Sequence, residues 1–138
     1  MITLAIIGCG AISSNAHIPN ATKSPHFDLR YLVDCNRDLA DKLALQYHVP
    51  NVTRRYQEIV GKVDAAIIAV PHKFHHSIAM DLMKAGVHLL VEKPMAITDK
   101  ECQEMIRQAE LSETHLAVGH FRRIQPVFQL ANEIFTNK

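Results

Sequence analysis

Three groups of residues have types and spacings that could do chemistry. The first is Gly8-Cys9-Gly10-Ala11-Ile12-Ser13, which follows a short apolar run. Glycines in such a turn allow a tight bend and the close approach of a pyrophosphate, and Ser13 stands where a third small residue packs helix on strand. Ala11 and Ile12 open a helix whose free amides and positive dipole end suit an anion. Gly8, Gly10, Ala11 and Ile12 are therefore a candidate phosphate cradle. The second group is Asp34 with Arg37, about 20 residues further on. A carboxylate at the end of a second strand accepts bonds from ribose hydroxyls and repels a 2′-phosphate, which favours NAD over NADP. Arg37 is close enough to greet such a phosphate and pulls the other way. The third group is Glu92-Lys93-Pro94, after the apolar run of residues 87–91. A desolvated lysine at a strand end can transfer a proton or polarise a carbonyl. Together the three suggest redox chemistry on a nicotinamide cofactor. The plainer readings are a glycine turn without a ligand and a solvated lysine.

Nine histidines are many for this length. His72, His75 and His76 have a spacing that could present a metal face, but no glutamate or cysteine follows at a suitable distance to complete it. No metal is expected. His75 is placed toward the cofactor crevice, with His72 and His76 partly solvated.

Positioning these residues takes alternating strands and helices. Residues 2–7 read as a buried parallel strand. A helix follows from 11 to about 22, and Pro19 should kink or shorten it. Residues 27–33 form a second strand, and Asn36 caps a helix with Leu39, Leu43 and Tyr47 in register. Residues 52–56 suggest a short edge strand and 64–70 a central one. Residues 75–85 form a helix closed by Gly86, and 87–91 a further strand. Thr98 and Glu101 make a capping box for a helix that buries Cys102, Met105, Ile106 and Ala109. A sixth strand covers 116–119, and 126–135 is again helical. This order predicts an α/β fold, a doubly wound parallel sheet of the Rossmann dinucleotide-binding type.

The bulk composition narrows the function classes. With 48% hydrophobic and 21% charged residues over 138, the chain supports one packed core. Fifteen Lys+Arg against fourteen Asp+Glu leave no basic excess for nucleic acid or anionic lipid. The three cysteines make no CxxC pair, which points to reduced thiols in a cytoplasmic compartment. No apolar run is long enough to span a bilayer. The strand pattern begins at Ile2, leaving no room for a signal peptide.

Four segments, in order, resemble the glucose–fructose oxidoreductase / inositol dehydrogenase / rhizopine-catabolism family (Gfo/Idh/MocA). They are Gly8-Cys9-Gly10-Ala11-Ile12 with His17 and Pro19; Ala69-Val70-Pro71-His72-Lys73-Phe74-His75; Ala85-Gly86-Val87-His88 with Glu92-Lys93-Pro94; and Val118-Gly119-His120-Phe121-Arg122-Arg123. His72 and Phe121 stand where the family more often has asparagine. The resemblance implies hydride transfer between a nicotinamide and a sugar, cyclitol or related small molecule. It implies that Val70, Pro71 and His75 line the nicotinamide side. Glu92 and Lys93 would border cofactor and substrate, and Arg122 would lie near the crevice mouth. Lys93 would be the catalytic residue, with a proton-relay histidine elsewhere.

The resemblance further implies that residues 1–121 are the dinucleotide-binding domain and 122–138 an exit segment and first helix. A second domain, with catalytic Asp/His partners and the contacts of a homo-oligomer, would follow. The alternative is a non-catalytic dinucleotide-binding module or redox sensor. An S-adenosylmethionine-dependent methyltransferase could share the glycine turn but leaves Glu92-Lys93-Pro94 without a purpose.

Overall fold

A computed structural model describes residues 1–121 and 125–136. Six strands form one sheet: β1 Ile2–Ile7, β2 Phe27–Val33, β3 Asn51–Thr53, β4 Ala65–Ile68, β5 His88–Val91 and β6 Leu116–Val118. The order is β3-β2-β1-β4-β5-β6, and every neighbouring pair is parallel. This is the doubly wound arrangement expected from the sequence. The order in which strands are added reverses between β1 and β4, and ligands of such sheets bind at that switch point, beyond the carboxyl ends of the strands.

Helices cover both faces. They are α1 Ile18–Lys23, α2 Arg37–Tyr47, α3 His75–Lys84 and α4 Asp99–Leu111, with α5 Pro126–Thr136 at the end. β1 shows why its sequence is continuously apolar. Ala5 and Ile7 point into one core with α3 and α4 residues such as Leu82 and Met105. Leu4 and Ile6 point into the other, with Ile18, Ala40 and Leu43 from α1 and α2. Successive strand side chains face opposite ways, so a strand buried on both faces loses the polar alternation. No helix among the described residues is long and apolar enough to cross a membrane.

Four local expectations change. The first helix is disturbed next to Pro19, as expected, but is not cut short there. It runs through residues 11–23 by way of a π turn, Ser13–His17, in which Ile18 N–H donates to Ser13 O. Pro19 has no N–H for a carbonyl one turn back, and the wider turn absorbs that loss. The edge strand β3 stops at Thr53, because residues 56–59 fold into a 3₁₀ turn that buries Ile59. The Thr53 hydroxyl, bonded to Glu58 at 2.5 Å, fixes that turn. The central strand is shorter than its apolar run. Asp64 accepts from the backbone and hydroxyl of Thr3 at one end, and at the other the chain turns out at Val70-Pro71. On α4 the capping box of Thr98 and Glu101 forms in full. Met105 and Ala109 are buried and Cys102 packs beside them, but Ile106 is 43% exposed, one position past the buried stripe.

Candidate functional site

The glycine turn is built by close packing at the switch point. Gly8 has φ +96°, and a Cβ on it would lie 2.6 Å from the Ala69 carbonyl oxygen. The turn after β1 thus passes hard against the exit of β4, in a conformation that side chains resist. Gly10 differs: a Cβ there would meet nothing within 4 Å. That open space faces the cleft where a ligand backbone can approach. Ala11 and Ile12 are exposed at the start of the helix, where amides lack intrahelical partners. Ser13 is fully buried beneath the turn, and its Oγ has no hydrogen-bond partner among the described residues. The cradle, its open face and its free amides fit a pyrophosphate.

Asp34 is tied to this turn. Its Oδ2 accepts from Cys9 N–H at 2.6 Å and its Oδ1 from Asn36 N–H at 2.8 Å. Oδ1 also accepts from Cys35 Sγ at 3.6 Å. The carboxylate thus holds the glycine turn and the start of α2 together, and Oδ2 keeps a lone pair for a hydroxyl. Burial, and after it the Asp34 charge, push the Cys9 thiol up to about 12. Gly8, Gly10, Asp34, Cys35 and Arg54 line a cavity of about 370 Å³. Arg37 stands elsewhere. It pairs with Asp41 at 2.9 Å and lines a separate hollow with His48 and Pro50.

Across the switch point lies a second cavity of about 700 Å³, lined by Ile12, Pro71, His72, Glu92, Lys93 and Phe121 among others. Ala69, Val70 and Pro71 line both cavities, so the β4 exit is their common wall. Glu92 leaves β5 and meets His17, with Oε1 2.9 Å from Nε2 and both side chains mostly buried. Gly119, where β6 ends, leaves room for it: a Cβ would stand 3.1 Å from Glu92 Oε1. Lys93 is exposed, and its ammonium makes no hydrogen bond or ion pair among the described residues. A cation held at a cavity wall without a partner is available to an oxygen of a bound molecule.

His75 also lines this second cavity, as a buried ring at its floor. It is 1% exposed, with Nε2 2.8 Å from Val70 O and Nδ1 3.0 Å from Pro94 O. It lies beneath the second cavity and brackets the two loops that carry Pro71 and Lys93. His76 pairs with Glu104 of α4 at 2.8 Å, a neighbour that spacing along the chain could not reveal.

The structure therefore gathers Gly8, Gly10 and Asp34 at one end, Ile12, Glu92 and Lys93 at the other, and Val70 and Pro71 between them. Ala11 stands at the helix start beside them. Arg122 lies outside the described residues. Sequence reasoning missed the pairing of His17 with Glu92 and the place of Arg54. For Arg54 no signal existed, since the expected edge strand over residues 52–56 keeps it inside the sheet, and only the early end of β3 at Thr53 frees it.

The chain's residues 2–120 match the Gfo/Idh/MocA family model, described as an oxidoreductase family with an NAD-binding Rossmann fold. A D-glucoside 3-dehydrogenase of Escherichia coli (strain K12) is 27% identical over 99% of this chain and 39% of its own length. A myo-inositol dehydrogenase of Streptomyces leeuwenhoekii is 32% identical over 92% of this chain and 39% of its own. Among solved structures, GenD2 from gentamicin A biosynthesis, in complex with NAD, superposes with a TM-score of 0.92 at 27% identity, covering 96% of this chain and 38% of that one. The chain spans about two fifths of the length of the curated relatives that it matches over most of its own length, 39% to 42%.

Proposed function

The chain belongs to the Gfo/Idh/MocA oxidoreductase family, and we propose that it is the dinucleotide-binding part of an NAD(P)-dependent dehydrogenase or reductase. The observation that carries this is the pair of cavities meeting at the β1–β4 switch point. One end has a glycine cradle and a ribose-type carboxylate, and the other has a lysine without a partner among the described residues. A dinucleotide has the same two-ended plan. Its substrate is a sugar, cyclitol or related small molecule, as the names of the relatives suggest.

The residues divide the work. Gly8 lets the turn pass against the β4 exit, Gly10 lets the backbone approach the pyrophosphate, and the amides of Ala11 and Ile12 bind it. Asp34 accepts from the adenosine ribose hydroxyls and favours NAD over NADP. Val70 and Pro71 form the apolar wall for the nicotinamide ring. When bound, that ring supplies the hydride acceptor or donor. Lys93 Nζ orients the reacting oxygen and stabilises negative charge as it develops there, or carries its proton. His75 holds Lys93 and Pro71 at a fixed separation, which near-attack geometry requires.

Residues 1–121 are assigned to the dinucleotide domain and 122–138 to an exit segment. The helix α5 supports that division: Val127, Leu130, Ile134 and Phe135 are exposed along it, and none of its residues is buried. An apolar helix with no buried side chain calls for a further partner surface. A second domain there would supply the other wall of the substrate site and oligomer contacts. A cytoplasmic location fits the unpaired cysteines.

Fluorescence titration tests the reading. NADH should bind, more tightly than NADPH, and Asp34→Ser should move the preference toward NADPH. Failure of the chain to bind either nucleotide would sink it. Dinucleotide binding without hydride transfer in a longer form carrying both domains would favour a binding module over an enzyme.

A further inference from the structure

We propose that Arg54, not Arg37, is the cation that determines how far the ribose pocket accepts a 2′-phosphate. This rests on the dinucleotide reading given above.

The placement of residue 54 follows from strand register. β3 lies parallel to β2 with Val33 opposite Thr53, and Asp34 N–H donates to Thr53 O at 3.1 Å. Residue 54 therefore leaves the sheet at the same carboxyl edge as Asp34, one strand over. The side chain then lines the same cavity as Gly10, Asp34 and Cys35.

Three arginines flank this end of the sheet, and two are already occupied. Arg37 holds Asp41 with both carboxylate oxygens at 2.9 Å, and Arg55 holds Glu58 at 2.9 Å. Arg54 has no hydrogen bond or ion pair among the described residues. Its guanidinium keeps all five donors for a ligand.

The two walls of the cavity thus favour different groups. Asp34 suits a ribose diol, and its charge opposes a phosphate on the 2′ oxygen. Arg54 suits that phosphate, because a planar fork of donors matches phosphate oxygens. An acid and a free arginine on adjacent strands allow both dinucleotides to bind, with the preference set by Asp34 blunted by Arg54. A guanidinium plane could instead stack on the adenine ring, which both dinucleotides share. That role would affect both equally.

The test is titration of the chain with NADH and NADPH, in the wild type, Arg54→Gln, Arg54→Lys and Arg37→Gln. Arg54 is exposed, so folding should be unaffected, and circular dichroism checks this. Arg54→Gln should weaken NADPH about tenfold or more, as for a lost charged hydrogen bond, and leave NADH within about twofold. Arg54→Lys should recover part of the loss. The difference should shrink in high salt, since the contact is near solvent. Arg37→Gln should change neither ratio. Equal weakening of both nucleotides would overturn the proposal in favour of stacking. No weakening would return Arg54 to a solvated cation. A wild-type chain that binds neither nucleotide would bring down the dinucleotide reading itself, and this inference with it.

Discussion

The two halves of the crevice are held together in different ways. The adenosine half is closed onto backbone groups: the Asp34 carboxylate grips Cys9 N–H and Asn36 N–H, and Gly8 sits against the Ala69 carbonyl. The lysine half is closed by two histidine rings. His17 reaches Glu92, 75 positions away, and His75 reaches Pro94, 19 away. On the proposed reading, the first half is a finished surface for the adenosine of a dinucleotide, and the second is a braced frame that leaves Lys93 uncovered for a substrate.

Gly8→Ala tests the closed half most severely. The new Cβ would stand 2.6 Å from a backbone oxygen at φ +96°. Left-handed strain and overpacking together should lower stability by roughly 3 kcal/mol, read by chemical denaturation. Gly10→Ala has open space. It should keep stability within about 1 kcal/mol and still weaken dinucleotide binding, because the methyl fills the approach to the pyrophosphate. Equal losses of stability from the two would erase the distinction between a packing glycine and a binding glycine.

Lys93→Ala addresses the open half. In a longer form that turns over substrate, kcat should fall by about two orders of magnitude, as for loss of a general acid/base or polarising cation. Dinucleotide affinity should change much less, because Gly8, Gly10 and the first helix hold the pyrophosphate. Lys93→Arg should not restore activity, since the guanidinium keeps its proton and differs in shape. A near-normal kcat in the alanine variant returns Lys93 to a solvated strand end.

His75→Leu asks whether the brace matters. It leaves the Val70 and Pro94 carbonyls without the ring that bridges them. Stability should drop by about 1 kcal/mol, because the one carbonyl that accepts from the ring N–H loses its donor. In the longer form, kcat should fall with Lys93 unaltered, and NADH affinity should change by no more than a few-fold. Undisturbed stability and rate would mean that the two loops hold their own positions.

The contrast between the halves is also the contrast between what could be read in sequence and what could not. The sheet order, the strand over residues 27–33, the Asn36 cap and the capping box at Thr98 all follow from local patterns of a few residues. Gly8, Gly10 and Asp34 were legible for the same reason, because backbone turns and strand ends carry short signatures. The brace was not. His75 reads as a crevice residue from its distance to Pro71, and only packing of α3 under the β4 exit shows that it is buried. Arg37 lies near Asp34 along the chain and Arg54 does not. The parallel pairing of β2 with β3 reverses that order in space.

Thiol chemistry should give the smallest effect and the finest reading of the closed half. Cys9 is buried in the glycine turn, with its thiol pushed up to about 12, whereas Cys35, next to Asp34, is exposed in the ribose cavity. The attacking species is the thiolate, so at pH 8 only about one part in 10⁴ of Cys9 would be reactive, even if reagent could reach it. Iodoacetamide at pH 8 should therefore modify Cys35 first, Cys102 more slowly and Cys9 hardly at all, as read by peptide mass spectrometry. Raising the pH to 9 should still not bring Cys9 into view. NADH should protect Cys35, because the ribose would lie against it, and should leave Cys102 on α4 unchanged. Rapid labelling of Cys9 would mean that the turn opens on the timescale of the reaction, and the adenosine half would then be no more closed than the lysine half.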